Sequence, residues 1–515
     1  MTRYDRRSIL KGGLALSAGS MVAGSPFTFP SEAVASKTHQ SGEHSPYQPT
    51  WNSLRNIPIP QWLQNGKFGI YTHWGVYSVP AYGENGTWYA HNMYTKPNSD
   101  DRKHQIATYG PLSKFGYKDF IPMFTAKNFD PDEWAELFKK AGARFAGPVA
   151  EHHDGFSMWK TKYSKWNAYN MGPKRDVVGE LSKAIKKQDL KFLVAFHHGA
   201  NWFYYETWNK KFDVGDPRYE GLYGRVHAEN ALPDKQFLDA WEGKMLEVVD
   251  NYGPDVVWSD FGLELIQQWY KKDFLAYYFN KAAREGKEVT VTYKDHDFPP
   301  GVGINDLEQG QQLNMTYNEW ITDTTIDVGS GWGYIKGLAF KSVDELVTGL
   351  VDRVSKNGFL LLNVGPKPDG TIPEEAKERL LGLGEWLHVN GEAIYDTSPW
   401  LVAGEGPTQL SKGGSFNEDN SLKYTPQDIR FTCSGNFLYA TVLAWPGEQV
   451  AIKSLVPKGH TWAGLYPSEI VSISMLGDGK PLAWHQTSEA LVVSTPKVKP
   501  CDYAFVFKIG LKKPF

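Results

Sequence analysis

Between about residues 60 and 395 the chain alternates two hydrophobic periodicities. Short, nearly continuous apolar runs occur at KFGIYTHW (67–74), RFAGPVAEHH (144–153), KFLVAFHH (191–198), DVVWSD (255–260), EVTVTY (288–293) and GFLLLNVG (358–365). Runs of this kind are expected of strands buried on both faces, as in parallel sheets. Between them lie amphipathic stretches with readable ends. Asp130, Pro131 and Glu133 predict a capped helix start, Gly142 its end, and Trp134, Leu137, Phe138 and Ala141 its apolar stripe. Ser342 and Glu345 predict a second capping box ahead of Leu346, Leu350, Val351 and Val354, with Asn357-Gly358 as the stop. Repeated strand–helix units predict an α/β fold. A (β/α)8-like, TIM-type barrel is favoured over a doubly wound sheet. His73, His152, His153, His197, His198 and Asp260 recur at or just after strand ends, where barrel enzymes keep their sites, and no GxGxxG follows an early strand.

The pattern changes after about residue 396. SPW (398–400) is read as closing the last helix, and a Gly-rich polar segment follows. Short β-type runs then recur at 429–433, 437–445, 449–455, 471–476, 491–495 and 503–509, with SGN and GDG as hairpin turns. They predict a C-terminal β-sandwich. The expected organisation is a barrel over 56–398 and a sandwich over 399–515, preceded by a polar leader over 36–55, of which 36–50 carries no core residues. Residues 1–35 read as an export signal: Arg6 and Arg7 in DRRSILKG, a weakly apolar run, then AVA before Ser36. The paired arginines resemble the twin-arginine type, so the chain is expected to cross an inner membrane to a periplasmic or extracellular destination.

Composition narrows the function. A chain of 515 residues, 41% hydrophobic and 22% charged, is soluble and globular, with no membrane span expected. A net charge of −3 carries no nucleic-acid footprint. Cys433 and Cys501 are too few for a disulfide framework or a thiolate metal site, and are read as buried thiols or one bridge. The 14% aromatic content, with 19 Trp, suits either a ring-rich core or the stacking of a weakly polar ligand such as a sugar.

Three features carry candidate chemistry. His152-His153 invites a metal, but adjacent strand residues point to opposite faces and no H-x-H pair occurs, so neither a metal nor a cofactor is expected. The same holds for His197-His198. Asp260, beside Trp258 at the end of an apolar run, would place a carboxylate at the barrel mouth, and Glu308 or Glu319 could supply a second. Such a pair is what glycoside hydrolysis commonly uses.

At these residues the chain resembles an α-L-fucosidase of glycoside hydrolase family 29, over about residues 55 to 510. The resemblance rests on GKFGIYTHWGVYSVPAY (66–82), EHHDGF with MWKTKYSKWN and GPKRD, DVVWSD, SGWGY (330–334) and KNGFLLLNVGPKPDGTIP (356–373), in family order. It implies a retaining exo-hydrolase acting on fucosylated oligo- or polysaccharides, with Asp260 as nucleophile. Glu308 is the favoured acid/base and Glu319 the runner-up. It implies sugar contacts from His73, His152 and His153, with Trp88, Trp258 and Trp332 lining the site. Where the family usually has Glu-Trp-Tyr this chain has Thr87-Trp88-Tyr89, with Glu84 a possible replacement carboxylate. A family arginine appears as Lys294, and His197 or His198 stands where relatives often carry tyrosine. A non-catalytic carbohydrate-binding protein and a hydrolase for a related sugar such as an α-L-galactoside are the competing readings, and an oligomer is possible.

Overall fold

The computed structural model describes residues 46–329, 331–419, 421–457 and 463–515. The signal read at 1–35 and the first part of the leader lie outside the described residues. Eight parallel strands close into a barrel in chain order: β1 Phe68–Thr72, β2 Phe145–Glu151, β3 Lys191–Phe196, β4 Val256–Ser259, β5 Thr290–Lys294, β6 Ile304–Asp306, β7 Trp320–Thr325 and β8 Gly358–Val364. Outer helices include α1 Pro131–Lys140, α2 Val177–Lys187, α3 Lys235–Tyr252, α4 Gln268–Arg284, α5 Val343–Ser355 and α6 Glu374–Asn390. The six strands expected from apolar runs are present. β6 and β7 were not foreseen: one is three residues long, and the other, WITDTT, alternates polar residues whose partners are distant in sequence.

The helix ends follow local chemistry. Asp130 accepts hydrogen bonds from the backbone of Asp132 and Glu133, but Glu133 does not return the bond; its carboxylate faces Lys377 at 3.4 Å instead. The Ser342–Glu345 capping box is complete. One face of each barrel strand packs inward, where Tyr71, Phe145, Val149, Leu193, Ala195, Val256, Trp258, Ile304, Ile321, Phe359 and Leu361 form a single cluster. The alternate residues pack against the helices.

Two expectations about boundaries are corrected. Residues 398–400 do not close a helix: α6 ends at Asn390, and Ser398–Glu405 forms strand β9. It pairs antiparallel with β10 Ile429–Ser434 at the sheet edge, where Pro399 costs no ladder bond. The end of the supposed leader also packs on the barrel. Leu54 is fully buried, and Asn280 of α4 bonds both the N–H and the carbonyl of Tyr47.

Beyond β9 and β10 come β11 Phe437–Val442, β12 Gln449–Ile452, β13 Ile470–Met475, β14 Trp484–Gln486, β15 Leu491–Ser494 and β16 Phe505–Leu511. They make a five-stranded sheet (β13-β16-β11-β10-β9) and a three-stranded one (β12-β15-β14). Val450, Ile452, Leu491 and Val493 share one core with Phe431, Leu438 and Phe507, so the two sheets form a sandwich. The thiols stay free: Cys433 faces the Pro399 carbonyl and Cys501 that of Ala504. Among the described residues no helix is long and apolar enough to cross a membrane.

Candidate active site

The barrel's inward parity builds the site. On β3 the inward residues Leu193 and Ala195 are continued by His197; on β4, Val256 and Trp258 by Asp260; on β6, Ile304 and Asp306 by Glu308. The first two positions of each series are core. The third stands at or just beyond the strand's C-terminal end, in the barrel mouth. A pocket of about 220 Å³ there is lined by His73, Thr87, Trp88, His152, His153, His197, Trp258, Asp260, Glu308, Asp323 and Trp332.

Parity also explains what falls outside. His198 carries the outward phase: its ring stacks on Trp241 of α3, and its Nε2 faces the Trp241 carbonyl at 3.3 Å. It does not reach the pocket. Glu319 precedes β7 rather than following it, and its charge acts on Lys67, which precedes β1. It therefore stands at the opposite end of the barrel from Asp260, which corrects its candidacy as acid/base. Glu84 is exposed on its loop near Asp101 and does not line the pocket; Thr87 and Trp88 do.

His152 and His153 both face the pocket, against the alternation expected of adjacent strand residues. The pairing of β2 with β3 shifts register between Val149 and Glu151, and both histidines lie past the strand end, where the pleat no longer dictates direction. Glu151 anchors that turn, accepting bonds from Lys244 of α3 at 2.6 and 2.8 Å and from Ser157.

Hydrogen bonds assign the ring tautomers. His73 Nδ1 meets the Asn363 side-chain oxygen at 2.8 Å, while Asn363 donates to the Trp332 carbonyl, so His73 carries its proton on Nδ1 and keeps Nε2 as an acceptor. His197 Nδ1 donates to Asp260 Oδ2 at 2.8 Å, leaving its Nε2 without a protein partner. His153 spans two acceptors, the His197 carbonyl at 2.8 Å from Nδ1 and Asp260 Oδ2 at 3.2 Å from Nε2. Burial, and then neighbouring ring charges, push His73 and His152 well below the ordinary histidine range, and burial also lowers His197. These rings are neutral at neutral pH, each offering one N–H and one lone pair. Burial alone would raise the Asp260 carboxyl, but His197 and His153 outweigh it and hold the group well below the usual carboxylate range. His152 Nδ1, like His197 Nε2, is buried without a protein partner. Such atoms cost about 1–3 kcal/mol each when unpaired, so the pocket is suited to a ligand rich in hydroxyls.

Beneath the pocket lies a charge cluster that strand reading missed. Lys294, 0% exposed, sits 2.7 Å from Asp323, 3.2 Å from Asp306 and 3.7 Å from Glu308, with Trp258's ring 4.7 Å away. Tyr71 donates to Asp323 and the Trp258 indole to Asp306. Burial and then Asp323 push the Asp306 carboxyl well up. Lys294 is thus a floor beneath the site rather than part of its lining. Asp306 in INDLEQG and Asp323 in ITDTT had a signal, a carboxylate in a β-branched run, but only pairing with Lys294 makes it meaningful.

Two side-chain triads among the described residues could hold a metal ion: His73-His152-His197 and His153-His197-Asp260. The second already spends His197 Nδ1 and His153 Nε2 on Asp260, so its atoms are satisfied as hydrogen bonds. A parallel barrel whose mouth holds two carboxylates among aromatic rings and buried histidines has the make-up of a glycoside hydrolase.

Comparison with known proteins narrows this class. Residues 34–392 match the family model described as Alpha-L-fucosidase, and residues 423–510 the Alpha-L-fucosidase C-terminal domain. The chain is 32% identical over 482 residues to the tissue alpha-L-fucosidase of Bos taurus, covering 90% of this chain and 92% of that one. It is 31% identical over 495 residues to the plasma alpha-L-fucosidase of Homo sapiens, again covering 90% and 92%. The crystal structure of Thermotoga maritima alpha-fucosidase in complex with a mechanism based inhibitor superposes with a TM-score of 0.73 at 32% identity, covering 90% of this chain and all of that one. The chain belongs to the alpha-L-fucosidase family and is a glycoside hydrolase.

Proposed function

We propose that this enzyme removes terminal α-L-fucosyl residues from oligo- or polysaccharides by a retaining double displacement. The observation that carries the mechanism is Asp260, whose carboxylate is kept ionised by two imidazole donors in a pocket it shares with Glu308. Asp260 attacks the anomeric carbon while Glu308 gives its proton to the departing oxygen, leaving a fucosyl ester on Asp260. Glu308 then takes a proton from water, which attacks the same carbon and releases α-fucose. His73 Nε2 and His197 Nε2 accept bonds from sugar hydroxyls. The faces of Trp88, Trp258 and Trp332 offer apolar surface to the 6-deoxy methyl group, a preference of about 1–3 kcal/mol over a hydroxylated analogue.

Trapping tests the assignment. A 2-deoxy-2-fluoro-fucosyl fluoride should leave a slowly hydrolysed ester, and mass spectrometry should find it on the peptide carrying Asp260. A label on another carboxylate removes Asp260 as nucleophile, and initial β-fucose in the proton NMR of an unmodified substrate removes retention. Turnover of an aryl α-L-fucoside undiminished by a chelator is expected. Its abolition would favour metal chemistry at the histidine triad, and no turnover at all a binding protein. We also propose export, supported by Arg6-Arg7, the apolar run and AVA in residues 1–35, and by the similarity to a plasma fucosidase.

A further inference from the structure

Between β9 and β10 the chain leaves the sandwich and crosses back to the barrel. The Gly414 N–H donates to the Gln311 carbonyl at 2.8 Å, that of Phe416 to the Glu308 carbonyl at 2.7 Å, and that of Glu418 to the Gln309 carbonyl at 2.8 Å. Residues 414–418 thus form a strap along the loop that carries Glu308. Asn417 folds the strap on itself by donating to the carbonyls of Gly413 and Ser415. Glu418 latches it, its carboxylate lying between Lys341 at 2.8 Å, Arg353 at 2.6 Å and the Thr324 hydroxyl at 2.6 Å.

Phe416 is an unexpected residue for this strap. Its φ of 59° lies in the left-handed region, as does the 42° of Gln309 opposite, and a bulky side chain there costs on the order of 1 kcal/mol or more. This backbone turn brings its ring, partly exposed, nearly parallel to that of Phe261, with 6.2 Å between centroids and 18° between planes. Phe261 directly follows Asp260, and its ring centre lies 5.7 Å from the Lys294 ammonium, which is 3.7 Å from Glu308. The two rings therefore bridge the loops bearing the two carboxylates, on the side where Glu308 stands.

We propose that Phe416 and Phe261 form the leaving-group subsite, an apolar platform for the sugar ring to which the fucose is joined. This rests on Glu308 as the acid, because the departing oxygen must lie within reach of the group that protonates it. A pyranose beyond that oxygen extends toward solvent over these rings, and its C–H face matches their apolar faces.

The test compares Phe416→Ala and Phe416→Tyr with the native chain on a fucosyl-galactose disaccharide and on α-L-fucosyl fluoride, whose leaving group has no ring. Phe416→Ala should lose roughly fivefold to tenfold in kcat/KM on the disaccharide, with the loss confined to substrates bearing an extended leaving group, and Phe416→Tyr should recover it. Equal losses on both substrates overturn the platform. A second measurement is independent of which group acts as the acid. In an Asp260→Ala background, calorimetry should show Phe416→Ala weakening the disaccharide by a similar factor and free fucose by less than twofold. Equal weakening of both ligands, or of neither, overturns the proposal, even if the catalytic assignments fail for other reasons.

Discussion

His197 and His198 differ by one position and have different fates. The inward ring donates to Asp260; the outward one stacks on Trp241 and supports a helix. The dipeptide was visible, but which ring entered the pocket depended on strand register, which a one-residue slip reverses. Lys294 was marked in VTYKDHD only as the counterpart of a family arginine, and its place beneath the site depends on Asp306 and Asp323 closing around it. His198 also carries a pH prediction. Burial holds its ring well below the ordinary histidine range, so as pH falls below about 6.5 the unfolded chain gains a proton that the native ring refuses, and stability drops. Each such proton contributes a slope of up to about 1.4 kcal/mol per pH unit. A His198→Asn chain should therefore lose stability less steeply between roughly pH 6.5 and 4 in urea denaturation. An unchanged slope would mean that the native ring already accepts the proton.

At the scale of elements, the strands announced by continuous apolar runs were legible, and so were the capped helices α1 and α5. β7 was not, because its polar residues are paired by distant partners: Thr322 bonds the Gly310 carbonyl and Thr324 bonds Glu418. β9 was hidden by its proline and its lack of apolar alternation. The strap shows the same dependence, since its latch unites residues from β7, α5 and the 411–419 segment. Burial opposes Glu418's ionisation, but Lys341 and Arg353 hold its carboxyl down at about 2. Its contribution is full above the unfolded value of about 4.3 and fades as pH falls toward the folded one. Glu418→Gln should thus cost about 3 kcal/mol at pH 7 by chemical denaturation, with the gap narrowing below about pH 4. A cost that does not change with pH would locate the effect in packing rather than charge.

At the scale of the molecule, barrel and sandwich share polar joints that neither could satisfy alone. Arg430 of β10 donates to Asp352 of α5 at 2.7 Å, the Trp386 indole of α6 to the Ala504 carbonyl at 2.8 Å, and Thr432 to the Ala393 carbonyl at 2.8 Å. A chain ending at residue 397 would leave these groups, and the Glu308 loop, without their partners. It should give little soluble, cooperatively melting protein and no fucosidase turnover, measured by soluble yield, circular dichroism and an aryl-fucoside assay; an active, soluble barrel would refute this coupling.

The sequence by itself determined the periodicity, and with it the barrel, the sandwich, the apolar strands and the residues at their ends, because burial on one or both faces leaves a local imprint on residue order. Tertiary structure decided which of those residues meet. His198 and Glu319 were separated from the pocket, Lys294 was set beneath it, and Phe416 was carried back to the loop of Glu308 from 108 positions further along the chain. Such meetings depend on strand register, barrel closure and the pairing of buried charges, which are properties of distant contacts and leave no local period to read.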